Sequence, residues 1–382
     1  MINFLQVLNK NKEVVFIIDA ANSIIWHSRY YGVGDFEIYM RATPEALVHL
    51  AIGNYISRED ESEIGIIEEV DISFSLESGY MLTVIGRFVK SILDRRYVFT
   101  LSENLNLPTL FVSNTRVESA ARQLVLENAI DCTFNSQRNI PDLALDADKG
   151  LPAIIVDEDG NPAPKQISCE NLLTCGDELL KEYHYGAWMK LRRSDGKFLY
   201  EVYSGADRSF DNTDGNIPIV FSTDFDNLNS CEYSQNDAPK KNAAVIGGAG
   251  EDSVRFFTYL STGTNSGLEL RETYVDASAI NRTYVDEGTG TEEEYEPEDY
   301  TNMLNQEAQN ALSQLTELEA FGGNINVNSE TFKYKRDFFL GDVVSIQDNY
   351  LNKYVNVRVA EVTEVQDENG YHIEINFENE RV

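Results

Sequence analysis

The last hairpin of the chain carries the pattern that leaves it least freedom. Tyr371, Ile373, Ile375 and Phe377 alternate with His372, Glu374, Asn376 and Glu378, and a period of two puts the apolar set on one face of an extended strand. Just before them stands Asn369-Gly370, a pair that tolerates the positive φ angles of a type I′ hairpin turn. On the incoming side Val355, Val357 and Val359 share a face, and the parity then slips to Val362. That slip predicts a β-bulge near Glu361, because one extra residue restores the face. Upstream, Phe338-Phe339-Leu340-Gly341-Asp342-Val343-Val344 sets a turn residue between two apolar runs. Residues 322–378 therefore read as a small, curled antiparallel sheet closing a β-barrel.

The start of the chain has the same character. Residues 14–18, 24–31, 36–40, 66–76 and 81–88 are apolar, strand-length runs bounded by Gly, Asn, Asp or Glu, and residues 74–80 look like a hairpin connection. Residues 1–110 are expected to form a first β-barrel domain. Thr115-Arg116-Val117-Glu118 has the spacing of a capping box, and Val117, Ala121, Leu124 and Val125 follow at helical spacing. Residues 152–156 suggest a strand and residues 157–161 a turn. A second helix over 169–185 leads into a hairpin, 187–192 and 198–203, around Ser194-Asp195-Gly196-Lys197. Residues 111–205 thus read as an α/β insert domain.

Strands return at 218–223, 243–247, 254–260 and 268–275. The acidic run Glu292-Glu293-Glu294-Tyr295-Glu296-Pro297-Glu298-Asp299 follows, with Pro297 placed to open a helix. Leu304, Ala308, Ala311, Leu312 and Leu315 form its apolar stripe, and Gly322-Gly323 is expected to stop it. This helix reads either as a cap on a barrel or as a subunit contact. The fold class is α+β, mostly β: two small antiparallel β-barrels with an α/β insert and a helical insertion. The second barrel and its associated β domain take residues 206–290 and 321–382, and the acidic linker and helix take 291–320.

Charge narrows the function. Lys plus Arg number 31 against 64 Asp plus Glu, a net charge of -33, and such a field repels phosphate backbones. It suits high solubility, and equally the wall of a passage along which DNA slides without sticking. Cys132, Cys169, Cys175 and Cys231 show no CxxC spacing and read as buried free thiols. No signal sequence or apolar run of membrane-spanning length occurs, so a soluble chain assembled in a cytoplasm is expected.

Reactive motifs are missing. His27, His49, His184 and His372 lack metal spacing, and no GxSxG, GxGxxG or GK[ST] loop is present. Residues 157–161 and 211–215 faintly resemble calcium loops without the distal bidentate Glu, and read as Asx turns. Trp26 and Trp188 lie in apolar strands and read as core, and no exposed aromatic platform is expected. No catalytic, cofactor-binding or metal site is expected, nor any cofactor.

Two stretches carry a family resemblance. One is Tyr203-Ser204-Gly205-Ala206-Asp207-Arg208-Ser209, followed by Pro218-Ile219-Val220-Phe221-Ser222-Thr223-Asp224-Phe225-Asp226-Asn227-Leu228. The other is Phe332-Lys333-Tyr334 with Asp337-Phe338-Phe339-Leu340-Gly341-Asp342-Val343-Val344, backed by residues 359–365. In this order they resemble the Gp37-like tail proteins of siphophages and prophages, among the baseplate hub proteins similar to the T4 gp27 hub. The resemblance covers nearly the whole chain, and its motifs position the fold rather than mark an active site. It implies a homotrimer whose two barrels per subunit form a pseudo-sixfold ring, adapting a sixfold tube to a threefold tip. The implied partners are the distal tail protein, the tail tube protein and the tape-measure protein, with DNA passing through a lumen without specific binding and no membrane insertion. The implied location is the virion tail tip. Many relatives carry lytic or receptor-binding extensions, whereas this sequence stops at Val382 after the barrel hairpin. A tail-associated cell-wall hydrolase and a receptor-binding tail protein are the alternative readings.

Overall fold

The structure, a computed structural model, describes all residues except 1, 3, 102–107, 157–160, 168, 251–253, 286–290, 327, 328, 330, 349, 351, 352 and 380–382. The turn expected at 157–161 lies almost wholly outside the described residues, as does the side chain of Cys231. The chain divides into two compact units, Met1–Glu232 with Phe321–Val382, and Tyr233–Ala320.

The first unit is built on one long antiparallel sheet. Its path runs from Leu228–Asn236 through Leu318–Ile325, Gly370–Asn379, Lys353–Asp367, Ser23–Arg29, Asp35–Arg41, Gly79–Phe88, Ile64–Ser75, Tyr55–Arg58 and Leu5–Leu8 to Val14–Ile18. Off the path, Val343–Asp348 pairs with Lys353–Asp367 and, in parallel, with Val220–Phe221. The strands expected at both ends of the sequence thus share one sheet. They join where Glu361–Gln366 pair antiparallel with Ile24–Arg29. Among the described residues the path is open and neither expected barrel is seen to close. The mostly β, α+β character holds.

The bulge falls where the parity slip places it. Pairing skips from Val359 to Glu361, and the unpaired Ala360 carbonyl accepts the Tyr30 N–H at 2.8 Å. Val359 before the bulge and Val362 and Glu364 after it are all buried. The hairpin forms, but its turn lies one residue earlier than expected. Asp367 pairs with Gly370, so Glu368 and Asn369 are the loop, and Gly370 alone takes a positive φ, 111°. Asp367 Oδ1 accepts the Asn369 N–H at 2.8 Å; this Asx turn replaces the type I′ geometry. The strand Leu5–Leu8, the strand Tyr55–Arg58 and the helix Pro44–His49 had no sequence expectation.

The insert packs Val117, Leu124, Leu172, Leu179, Met189 and Phe198 into one core. Helix Val117–Val125 is present without the capping box, for its N-cap residue is Arg116 and no side chain caps it. Glu118 instead turns inward, fully buried, and accepts the N–H of Lys149 at 2.6 Å and of Leu151 at 2.8 Å. Helix Leu172–Glu182 and the hairpin Gly186–Arg192 with Lys197–Tyr203 match expectation. Cys132 and Cys175 are buried thiols, whereas Cys169 is exposed, on a residue with positive φ. Trp26 is fully buried beside Phe36 and Phe88.

In the second unit, Ala243–Gly247 pairs antiparallel with Phe257–Ser261 and parallel with Glu272–Asp276. Helix Pro297–Gln314 covers this sheet through Tyr300, Leu304, Ala308 and Leu312. Pro297 opens it as expected. Its end is at Leu315, and Gly322-Gly323 lie inside a strand rather than stopping the helix. Part of the acidic run, Glu292–Glu294, pairs with Thr283–Val285.

Candidate functional site

The two motif stretches meet in space. Asp342, nearly fully buried, accepts the Ala206 N–H at 2.8 Å through Oδ1 and the Arg208 Nε–H at 2.8 Å through Oδ2. Backbone bonds from Val343 N to Ala206 O and from Arg208 N to Val343 O lock the same crossing. The chains approach so closely that a Cβ on Gly205 would stand 1.9 Å from the Gly341 oxygen, which only glycine tolerates. Gly341, at φ 91°, also leaves room for the Tyr30 ring. Tyr30 is buried and its hydroxyl donates to the His184 carbonyl at 2.9 Å.

Next to this crossing lies a buried ion cluster. Arg58 sits at the end of Tyr55–Arg58, and Glu364 on the inward face of the strand after the bulge. Lys335 Nζ stands 2.6 Å from Glu61, 2.9 Å from Glu364 and 3.1 Å from Asp60. Arg58 also donates to Asp60 through Nε and Nη2, at 3.0 and 2.7 Å. Tyr371 donates its hydroxyl to Glu364 at 2.6 Å. Burial alone would raise the Glu364 carboxyl, but Arg58 and Lys335 overcome it and hold it below the usual range. Asp60, opposed by burial in the same way, is held at about 2 by Arg58 and Lys335. Burial lifts the third carboxyl, Glu61, above its usual range. The two cations match Asp60 and Glu364 inside the fold, which is the condition for burying charge at all.

A cavity of about 470 Å3 opens beside the cluster, with Glu63, Trp188, Tyr203, Lys335 and Asp342 in its wall. Trp188 is half-buried in this wall rather than in the core. Tyr203 stacks on it with ring centroids 4.0 Å apart, and the Lys190 ammonium lies 3.9 Å from the ring centroid. Burial pushes the Glu63 carboxyl up to about 8, so a protonated acid borders the cavity at neutral pH. The arrangement clamps distant parts of the chain together.

The histidines stay apart. His27 lies among Arg29, Asp35 and Glu361, His49 stacks on Phe16, and His372 pairs across the hairpin with Val365. Among the described residues no group of three His, Cys, Asp or Glu side chains is arranged to hold a metal ion, and no helix is long and apolar enough to cross a membrane. Residues 211–215 form a turn in which the Asn212 side chain bonds the Ser209 and Asn216 backbone. The clamp was missed in the sequence, although one signal was there. Glu364 occupies a core parity position beside Val362, and a carboxylate there requires a buried cation.

Two solved structures share this fold over nearly their whole length. The tail protein from Neisseria meningitidis MC58 aligns with a TM-score of 0.56 and 13% identity, covering 99% of this chain and 97% of that one. The 43 kDa tail protein of prophage MuSo2 from Shewanella oneidensis aligns with a TM-score of 0.56 and 10% identity, covering 98% of each chain. Comparison with curated proteins gave no match. The family described as Siphovirus ReqiPepy6 Gp37-like protein matches residues 4–377, and the chain belongs to that family.

Proposed function

We propose that this chain is a structural protein of a phage or prophage tail, a hub at the tail tip that works as a homotrimer. In this reading three copies adapt the sixfold tube or distal tail protein to a threefold tip, around a lumen through which DNA passes. The observation that carries it is the family match over residues 4–377, supported by a fold shared end to end with two tail proteins. The site geometry agrees, since the buried charges hold the two ends of the sequence in one sheet. The net charge of -33 suits a wall that repels passing phosphates. Tail tube, distal tail and tape-measure proteins are the partners this role requires.

Gold labelling of a tagged chain in intact particles tests the reading, with label at the tail tip as the expected result. Label along the tube or on the capsid would overturn it, as would clearing of a peptidoglycan gel by the pure protein.

A further inference from the structure

Three guanidiniums line one cavity whose wall holds no carboxylate, in a chain that carries 64 acidic residues. Arg95 ends the turn Val89–Arg95, and it and Arg96 line both of two cavities, of about 340 and 420 Å3, the first of which also holds Asp142 in its ion pair with Lys12. Arg138 lines the second with Tyr97 and Gln137. Among the described residues none of the three arginines has an aspartate or glutamate at ion-pair distance. Neighbouring Asp94 is already engaged by Arg87 at 3.4 Å and by Asn171. Arg96 donates to the Arg138 and Arg95 carbonyls at 2.7 and 3.0 Å. Arg138 donates to the Tyr97 carbonyl and lies over the Phe99 ring at 4.2 Å. Burial, with the like charge of Arg96 adding to it, holds the Arg138 guanidinium below its usual range. A cationic cluster left uncompensated amid so much negative charge is shaped for an anion from outside the fold.

We propose that this groove binds a carboxylate-rich peptide segment, namely the acidic run at residues 292–299 of a second copy of the chain. Glu292, Glu293, Glu294, Glu296, Glu298 and Asp299 are all exposed, and the planar guanidinium fork matches carboxylate oxygens two at a time. Nucleic acid fits less well. A duplex footprint needs roughly 6–10 phosphate contacts, and the charge of -33 around the groove opposes it. Contact between two different patches is head-to-tail, the kind that closes rings when the rotation fits. The choice of a second copy rests on the trimer reading; the binding of the segment does not.

A labelled peptide of residues 291–300 is titrated with the full-length protein by fluorescence anisotropy, beside a labelled single-stranded oligonucleotide. A chain carrying Glu292→Gln, Glu293→Gln, Glu294→Gln, Glu296→Gln, Glu298→Gln and Asp299→Asn serves as a second receptor, so that its own run cannot fill the groove. Saturable peptide binding is expected, weakened by salt and about tenfold by Arg95→Ala. The Arg95 side chain makes no hydrogen bond among the described residues, so its variant keeps the fold. Charge reversal by Arg95→Glu should in turn favour a peptide with lysines at positions 296 and 298. No saturable binding to either receptor, or binding undiminished from that of the unmodified chain in both Arg95→Ala and Arg138→Ala, overturns the proposal. Tighter oligonucleotide binding lost in the same variants overturns it in favour of nucleic acid. A negative titration leaves the trimer standing, whereas a copy number other than three in tails sinks the trimer alone.

Discussion

Arg58 Nη1 lies 2.9 Å from Glu364 Oε2 while Nη2 lies 3.1 Å from Oε1, a two-pronged bond between residues 306 positions apart. Removing Arg58 leaves the buried Glu364 with only Lys335 and Tyr371 as partners, at a cost of about 3 kcal/mol. Arg58→Met should therefore lower stability by that amount in urea unfolding. The double variant Arg58→Met with Glu364→Leu should lose clearly less than the sum of the two single losses. Additive losses would mean that the pair does not act as a unit.

Stability should fall on both sides of mildly acidic pH. Asp60 is held at about 2 in the fold against 3.8 ordinarily, so its contribution is present above about pH 4 and is lost as pH falls towards 2. Glu63 acts oppositely. Its folded value of about 8 lies above the ordinary 4.5, so stability declines as pH rises between these values. Glu63→Gln should flatten that decline while leaving the acid limb in place, as read from melting temperature against pH.

At the helix that opens the insert, two substitutions separate the observed geometry from a capping box. Thr115 is exposed, and Thr115→Ala should change stability by less than about 0.5 kcal/mol. Glu118→Ala leaves the amides of Lys149 and Leu151 without their acceptor and should cost about 1–3 kcal/mol. Equal effects would restore the capping box.

Gly341 combines a φ of 91° with a Tyr30 ring carbon 2.3 Å from where a Cβ would sit. Gly341→Ala should cost about 2 kcal/mol or more, from backbone strain and overpacking together. Gly370→Ala, strained but with no atom within 4 Å of its Cβ, should cost less. Thermal unfolding of the two variants checks the order.

The terminal hairpin was legible because alternation and the slip from Val359 to Val362 are local, and so was the helix behind Pro297. The type I′ turn was not, since the Asp367 side chain decides that geometry and its bond to Asn369 competes with the Asn-Gly signal. Closed barrels were expected from strands counted at each end, but the pairing of Trp26 with Glu364 is a contact that no local pattern announces. The ion clamp was half visible. Glu364 on a core-facing parity announces a buried cation, yet nothing in the sequence names Arg58 or Lys335 as that cation. Arg95, Arg96 and Arg138 gather through folding of the insert, so a net charge of -33 conceals them.

Copy number in isolated tails, counted by quantitative mass spectrometry against a major tube protein of known stoichiometry, tests the hub reading most directly. Three copies of the 43.2 kDa chain per tail are predicted. One copy, or six, would contradict it.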